Sequence, residues 1–231
     1  ASFTPNDGGF ARPFAASDRA VVFTGAMDYW PNVDAVEWFA AEILPTLRQR
    51  GYAVLSASDV SALTGAALPG LLALAPSWES LVADAYLRDG GRYRRRRHAC
   101  WVVEGSACRA VPHRAHWQPV AYNALHGGLA RWFEPVTQAV SDSPAWHALI
   151  TGLARVCTEL RGEPVWFVEA HQFRIDTTDG IGRPTPEGAH RDGVDFVAVL
   201  LVAREGIKGG ETRVFEAAGP HGIRFTLAEP W

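Results

Sequence analysis

The chain of 231 residues has a formal charge of −3 at neutral pH, is 48% hydrophobic, and contains 9 Trp and 11 Phe. That composition excludes disorder as the dominant state and gives no global pull toward nucleic acid or an anionic membrane. Cys100, Cys108 and Cys157 lack metal-ligand spacing and cannot all pair, which fits reduced thiols in a cytoplasmic protein.

Residues 1–19 are rich in Gly, Pro, Asn and Asp and read as a loose leader without the basic and apolar regions of a signal peptide. No apolar run reaches the roughly 20 residues of a membrane span. Ala20–Thr24 reads as a short strand ending at Gly25. Asn32 can cap a helix with Val36, Phe39, Ile43 and Leu47 on one stripe, kinked or shortened by Pro45. Tyr52–Leu55 reads as a strand, Ser58 as the cap of a helix toward Leu63, and Pro76-Ser77-Trp78 as the start of a helix running to Leu87.

Residues 92–122 have a weak strand tendency, and Ala124–Val140 is expected to be helical. The clearest helix spans 144–160, with Ser143 as cap, Pro144 in first position, and Trp146, Leu149, Ile150, Leu153, Val156, Cys157 and Leu160 on one face. Gly162 can end it. Beyond Glu163 the pattern turns β-rich over 165–175, 194–202, 211–217 and 223–228, with a turn at Lys208-Gly209-Gly210-Glu211. Helices followed by strands predict an α+β fold with a sandwich or barrel-like C-terminal sheet.

The densest polar cluster runs from Pro184 to Gly193. In an extended segment alternate side chains share a face, so His190 and Asp192 point the same way. An imidazole and a carboxylate suit Fe(II) in a two-His, one-carboxylate triad. The plainer reading is a loop histidine hydrogen-bonded to its neighbour. His171 and Gln172 fall on opposite strand faces, and His171 is either a packed residue or a ligand. Gln172 and Arg174 share a face and are candidates to line a carboxylate-binding cavity; Arg174 reads equally as a surface or salt-bridged residue. Arg92–His98 is the one strong basic run, read as a solvated or internally paired strand, or as an anion-binding strip. His113, His116, His126 and His147 are read as structural.

The blocks Tyr93–Arg97, Gln118, Asn123, Gly127-Gly128, Arg131–Pro135, Glu169–Ile175, Gly182–Gly188, His190–Phe196 and Gly209–Thr212 resemble the bacterial 2-oxoglutarate/Fe(II) dioxygenase family that includes free amino-acid hydroxylases. They keep the family's order over about residues 51–230. The resemblance implies a partial double-stranded β-helix (jelly-roll, cupin-like) with N-terminal helices packed outside. It also implies a reaction that consumes O2 and 2-oxoglutarate, releases succinate and CO2, and hydroxylates a small substrate, a free amino acid by analogy. His190 and Asp192 carry over as iron ligands and as the catalytic pair; no nucleic-acid or membrane partner is implied.

The resemblance further implies a ligand histidine and a 2-oxoglutarate-binding arginine on later strands, beyond Thr226–Trp231. We therefore expect an incomplete domain over 51–231, exposed strand edges, and little turnover from these residues by themselves. His221, in Gly219-Pro220-His221-Gly222, reads as a surface-turn residue. The alternative is a non-catalytic module of the same fold binding a small anion. Residues 20–50, from Val21–Ala35 through Trp38-Phe39 and Leu44-Pro45, resemble the opening strand and helix of exopolysaccharide glycosyltransferases. This implies a foreign segment over 1–50, with no transferase site and a junction near Arg50-Gly51.

Overall fold

The structure is a computed structural model that describes residues 38–87, 92–120, 127–178, 180–184, 188, 190, 192–216 and 221–231. The expected strand at 20–24, the helix start at Asn32 and most of the glycosyltransferase-like segment lie outside these residues, as do Asn123 and His126.

The first helix shows what Pro45 does. A π-helical turn, Phe39–Ile43, runs directly into α1, Leu44–Arg50, with the Leu44 N–H reaching back to the Phe39 carbonyl. Proline at the second position of α1 has no N–H to give, and the chain passes it by widening the turn before it. Phe39 and Leu44 pack with Leu63 and Val156, and Arg48 Nη2 donates to the Glu159 carbonyl at 3.3 Å. Gly51, at φ 77°, ends the helix.

No strand forms over Tyr52–Leu55, where the chain runs straight to the next cap. That cap is Ser56 rather than Ser58. Its hydroxyl accepts from Asp59 N–H at 3.2 Å while Ser56 N–H donates to Asp59 Oδ2 at 2.9 Å, opening α2, Ala57–Thr64. α3, Leu68–Leu72, and a 3-10 turn, Ala75–Ser80, follow. The expected helix to Leu87 stops there. The chain instead runs antiparallel beside the next strand, with Asp84 N–H donating to the Arg94 carbonyl at 3.0 Å and Arg96 N–H to the Val82 carbonyl at 2.9 Å.

The main sheet has the order β2-β1-β3, all antiparallel, with β1 Arg94–Glu104, β2 Ala107–Ala110 and β3 Val165–Ile175. β3 has the bounds expected from sequence. The helix expected over 124–140 shrinks to α4, Gln138–Ser141. Upstream of it, Arg131 and His116 exchange main-chain hydrogen bonds at 2.9 and 3.0 Å, which requires extended backbone.

α5, Pro144–Arg161, lies against the sheet and ends at Gly162, φ 80°. Trp146, Leu149 and Ile150 from α5 meet Trp101 and Val103 from β1, with Trp166, Val168 and Ala170 from β3 packed at the edge. Gly152 marks the crossing with α2: a Cβ there would stand 2.3 Å from Thr64 Cα. Trp231 closes this core edge-on to Trp78, at 6.1 Å between ring centres.

β4, Glu211–Phe215, and β5, Gly222–Thr226, form a separate hairpin. Residues 194–202, expected as a strand, begin in a bend at Val194-Asp195 and join no ladder, although Trp231 N–H donates to the Leu201 carbonyl at 2.6 Å. The fold is α+β with antiparallel sheets, as the sequence predicts. Among the described residues no single helix is long and apolar enough to cross a membrane.

Candidate functional site

The period of two along β1 and β3 divides the sheet chemically. One face carries Ala99, Trp101, Val103, Val168 and Ala170 toward α5. The other carries Arg94, Arg96, His98 and Cys100 from β1 beside Glu169, His171 and Phe173 from β3. In register, Arg96 pairs with Phe173, His98 with His171, and Cys100 with Glu169. A sheet whose second face is this polar, and still partly buried, needs internal partners for its charges.

Those partners are present. Asp84, with a side chain fully enclosed, accepts from Arg94 Nε at 2.8 Å and lies 3.8 Å from Arg96 Nη1. The Arg96 guanidinium sits 3.7 Å from the Phe133 ring centre and 4.5 Å from that of Phe173. Burial lowers Arg96 to about 9 against the opposing pull of Asp84, so it remains charged at neutral pH. The basic run is therefore internally paired at alternate positions. It does not offer the continuous anion-binding strip of the alternative reading.

His98, His116, Glu169 and His171 converge next to Arg96, their donor atoms all within 4.8 Å of one another. His116 Nδ1 donates to Glu169 Oε2 at 2.9 Å, and His98 Nε2 lies 3.8 Å from Glu169 Oε1. Burial alone would raise the Glu169 carboxyl, but hydrogen bonds from His116 and His98 outweigh it and hold the group well below the usual carboxylate range. Burial pushes His98 down. It pushes His171 far down, helped by Arg96, whose Nη2 donates to His171 Nδ1 at 2.6 Å. His116 thus belongs to a cluster, whereas His113 and His147 donate to main-chain carbonyls of Phe133 and Ser141.

The His190–Asp192 pair is joined to this wall. His190 Nδ1 donates to the Gly188 carbonyl at 2.8 Å, and His190 Nε2 faces Asp192 Oδ1 at 3.2 Å. A carbonyl only accepts, so Nδ1 carries the proton, and Nε2 lies within hydrogen-bonding reach of the Asp192 carboxylate. Gln118 Nε2 donates to that same oxygen at 3.3 Å, and Arg131 Nη2 donates to Gln118 Oε1 at 2.9 Å. Arg131 is two-way bonded to His116 through the main chain, which ties the pair to the histidine cluster.

Gln172 and Arg174, expected to line a carboxylate cavity, lie on the opposite face. Alternation from Glu169 and His171 puts them toward the helices, where Gln172 Nε2 donates to Ser77 Oγ at 2.9 Å and Arg174 pairs with Glu79. Gln172 and Arg174 share a face, and it is opposite the one that carries Glu169 and His171. His221 is exposed in the β4–β5 connection, its carbonyl accepting from Glu216 N–H at 2.8 Å. All three cysteines are free, and burial raises Cys100 and Cys157 to about 11, as suits unreactive thiols.

A family-wide sequence profile described as 2OG-Fe dioxygenase matches residues 75–231. Among solved structures, a bsmA homolog from Methylobium petroleophilum PM1 is 52% identical, with 81% of this chain and 76% of that one covered and a TM-score of 0.77. IDO from Bacillus thuringiensis shares the fold at 13% identity, with 81% of each chain covered and a TM-score of 0.58. No curated protein matches the chain.

Proposed function

The chain belongs to the 2OG-Fe dioxygenase family, and on that footing we propose that it hydroxylates a small substrate, a free amino acid, with His190 and Asp192 as protein ligands of iron. The family consists of oxidoreductases that use Fe(II) and 2-oxoglutarate. The double-stranded β-helix is the fold this reading assigns. The amino-acid substrate rests on the sequence resemblance, and cytoplasmic placement on the free thiols.

One observation carries the iron assignment: His190 Nε2 and Asp192 Oδ1 stand 3.2 Å apart, with the other ring nitrogen held by the Gly188 carbonyl. Two neighbouring ligands of one ion, each about 2.1 Å from it and at right angles, stand about 3 Å apart. The donor set fits Fe(II), and the carbonyl on Nδ1 is the outer hydrogen bond that metal-binding histidines normally make.

When bound, Fe(II) supplies the redox chemistry in which 2-oxoglutarate and O2 become succinate and CO2 and one oxygen atom enters a C–H bond. The residues of this chain orient and enclose. Gly188 fixes the imidazole, Gln118 holds the carboxylate, Arg131 fixes the Gln118 amide, and Phe133 and Phe173 shield Arg96 from water. Among the described residues, two metal-binding side chains, His190 and Asp192, meet at this point.

The test is Fe(II)- and 2-oxoglutarate-dependent succinate formation with and without each free amino acid. Any succinate released should vanish in His190→Ala and Asp192→Ala. Release that survives both substitutions contradicts the assignment.

A further inference from the structure

We propose that His98, His116 and Glu169, with the Cys100 thiol at their edge, form a second cation site separate from His190–Asp192, suited to a borderline divalent ion such as Zn2+. The proposal does not depend on iron at His190–Asp192, and it concerns residues that the iron assignment leaves unused.

The three donors come from three different segments: β1, the extended segment paired with Arg131, and β3. Tertiary structure alone unites them, and two of the three residues are buried: His98 at 0% exposure and His116 at 6%. Ligands of a tetrahedral ion held at about 2.0–2.1 Å stand about 3.3 Å apart. The observed separations from Glu169 oxygens, 2.9 Å to His116 and 3.8 Å to His98, bracket that value. The ring centre of a coordinating imidazole lies about 3.2 Å from its ion, so two such rings at the tetrahedral angle have centres about 5.2 Å apart. The His98 and His116 ring centres are 5.4 Å apart.

The neighbouring groups sharpen the choice of donors and of ion. His171 is not a fourth ligand, because its Nδ1 accepts from Arg96 and its other nitrogen must then hold the proton. It stacks on His98, with ring centres 4.6 Å apart and planes at 24°, and so fixes the His98 plane. Cys100 Sγ lies 3.5 Å from His98 Nε2 and 4.0 Å from Glu169 Oε1. Sulfur beside two imidazoles and one carboxylate favours Zn2+ over the hard, oxygen-seeking cations. Of the charges facing the cluster, Arg96 is matched by Asp84, and Arg131 is tied to Gln118. Glu169 supplies the negative charge the ion needs. On binding, the proton that His116 Nδ1 now donates to Glu169 leaves to solvent.

The experiment uses chelator-stripped protein dialysed against Zn2+, with bound metal counted by elemental analysis and Co2+ absorption as the spectroscopic probe. The His190→Ala/Asp192→Ala double variant should still bind one equivalent of Zn2+. Adding His116→Asn or Glu169→Gln to it should weaken binding at least about tenfold, with an unchanged circular dichroism spectrum showing that the fold persists. Glu169→Gln keeps a hydrogen bond to His116 and removes only the charge, so a loss there is not a folding effect. The proposal is overturned if the double variant binds no Zn2+, or if it binds undiminished after both further substitutions. Fe(II) binding lost equally through His190→Ala and Glu169→Gln would reveal one shared site and also overturn it. Loss of Fe(II) binding through His190→Ala with Zn2+ retained supports two sites.

Discussion

Gln118 Nε2 donates to Asp192 Oδ1 at 3.3 Å, and the same side chain accepts from Arg131 through Oε1 at 2.9 Å. Because Arg131 can only donate, the amide has one orientation, and its NH2 end must face the carboxylate. The sheet-side wall thereby sets the position of Asp192 through a side chain that touches no metal. Replacing Gln118 with Ala should weaken Fe(II) binding about 10- to 100-fold and, through the lost buried hydrogen bond to Arg131, destabilise the fold by about 1–3 kcal/mol. Anaerobic Fe(II) titration alongside thermal melting measures both, and an unaltered affinity would detach Gln118 from the site.

Asp84 is the counter-ion of two buried arginines. Asp84→Asn removes the charge and leaves Arg94 and Arg96 enclosed without it, which should destabilise the protein by about 3–5 kcal/mol. Urea unfolding gives the value. A cost near zero would mean that the Phe133 and Phe173 rings suffice to hold Arg96.

Helix packing makes a separate prediction. A methyl group at Gly152 would strike Thr64 backbone at 2.3 Å, so Gly152→Ala must move α5 away from α2. A destabilisation of about 1–3 kcal/mol is expected from overpacking, against a small gain for an exposed helix position. Comparing its unfolding midpoint with that of wild type decides between them.

Acid should weaken the fold early. His98 and His171 are held below their ordinary value by burial, so between about 6.5 and their folded-state values the unfolded chain binds more protons than the native one. Stability is then full above that ordinary value and is lost as pH falls below it. The Glu169 contribution, whose folded-state value is depressed, persists until pH drops below the ordinary 4.5. Melting temperatures from pH 8 to 5 should decline below about 6.5, and less steeply in His171→Asn. A flat profile would contradict the buried neutral histidines.

Much of this was legible in the residues. Helix 144–160 and strand 165–175 announced themselves because propensity, capping and burial pattern agree there. Helices expected at 76–87 and 124–140 failed for one reason: Asp84 and Arg131 are drawn into extended backbone by partners distant in sequence, which local periodicity does not register. The Ser56-Ala57-Ser58-Asp59 box was present but read two residues late.

The spacing of His190 and Asp192 is legible in the sequence, as is the face that Gln172 and Arg174 share, but the side of the sheet that face takes is set by the packing of Ser77 and Glu79. His98, His116 and Glu169 went unnoticed as a group, yet they carried a signal. Arg94, Arg96, His98 and Cys100 alternate, as do His116 with Gln118 and Glu169 with His171. Polar residues at every second position of β segments mark a wetted or functional face. Only tertiary pairing shows that the three faces coincide.

Anaerobic Fe(II) titration of the wild-type protein beside His190→Ala and Asp192→Ala, followed by the absorption of the Fe(II)/2-oxoglutarate complex, bears most directly on the account. Binding in the wild type that each single substitution abolishes is the predicted result. Equal binding in all three proteins would place the iron elsewhere and contradict it.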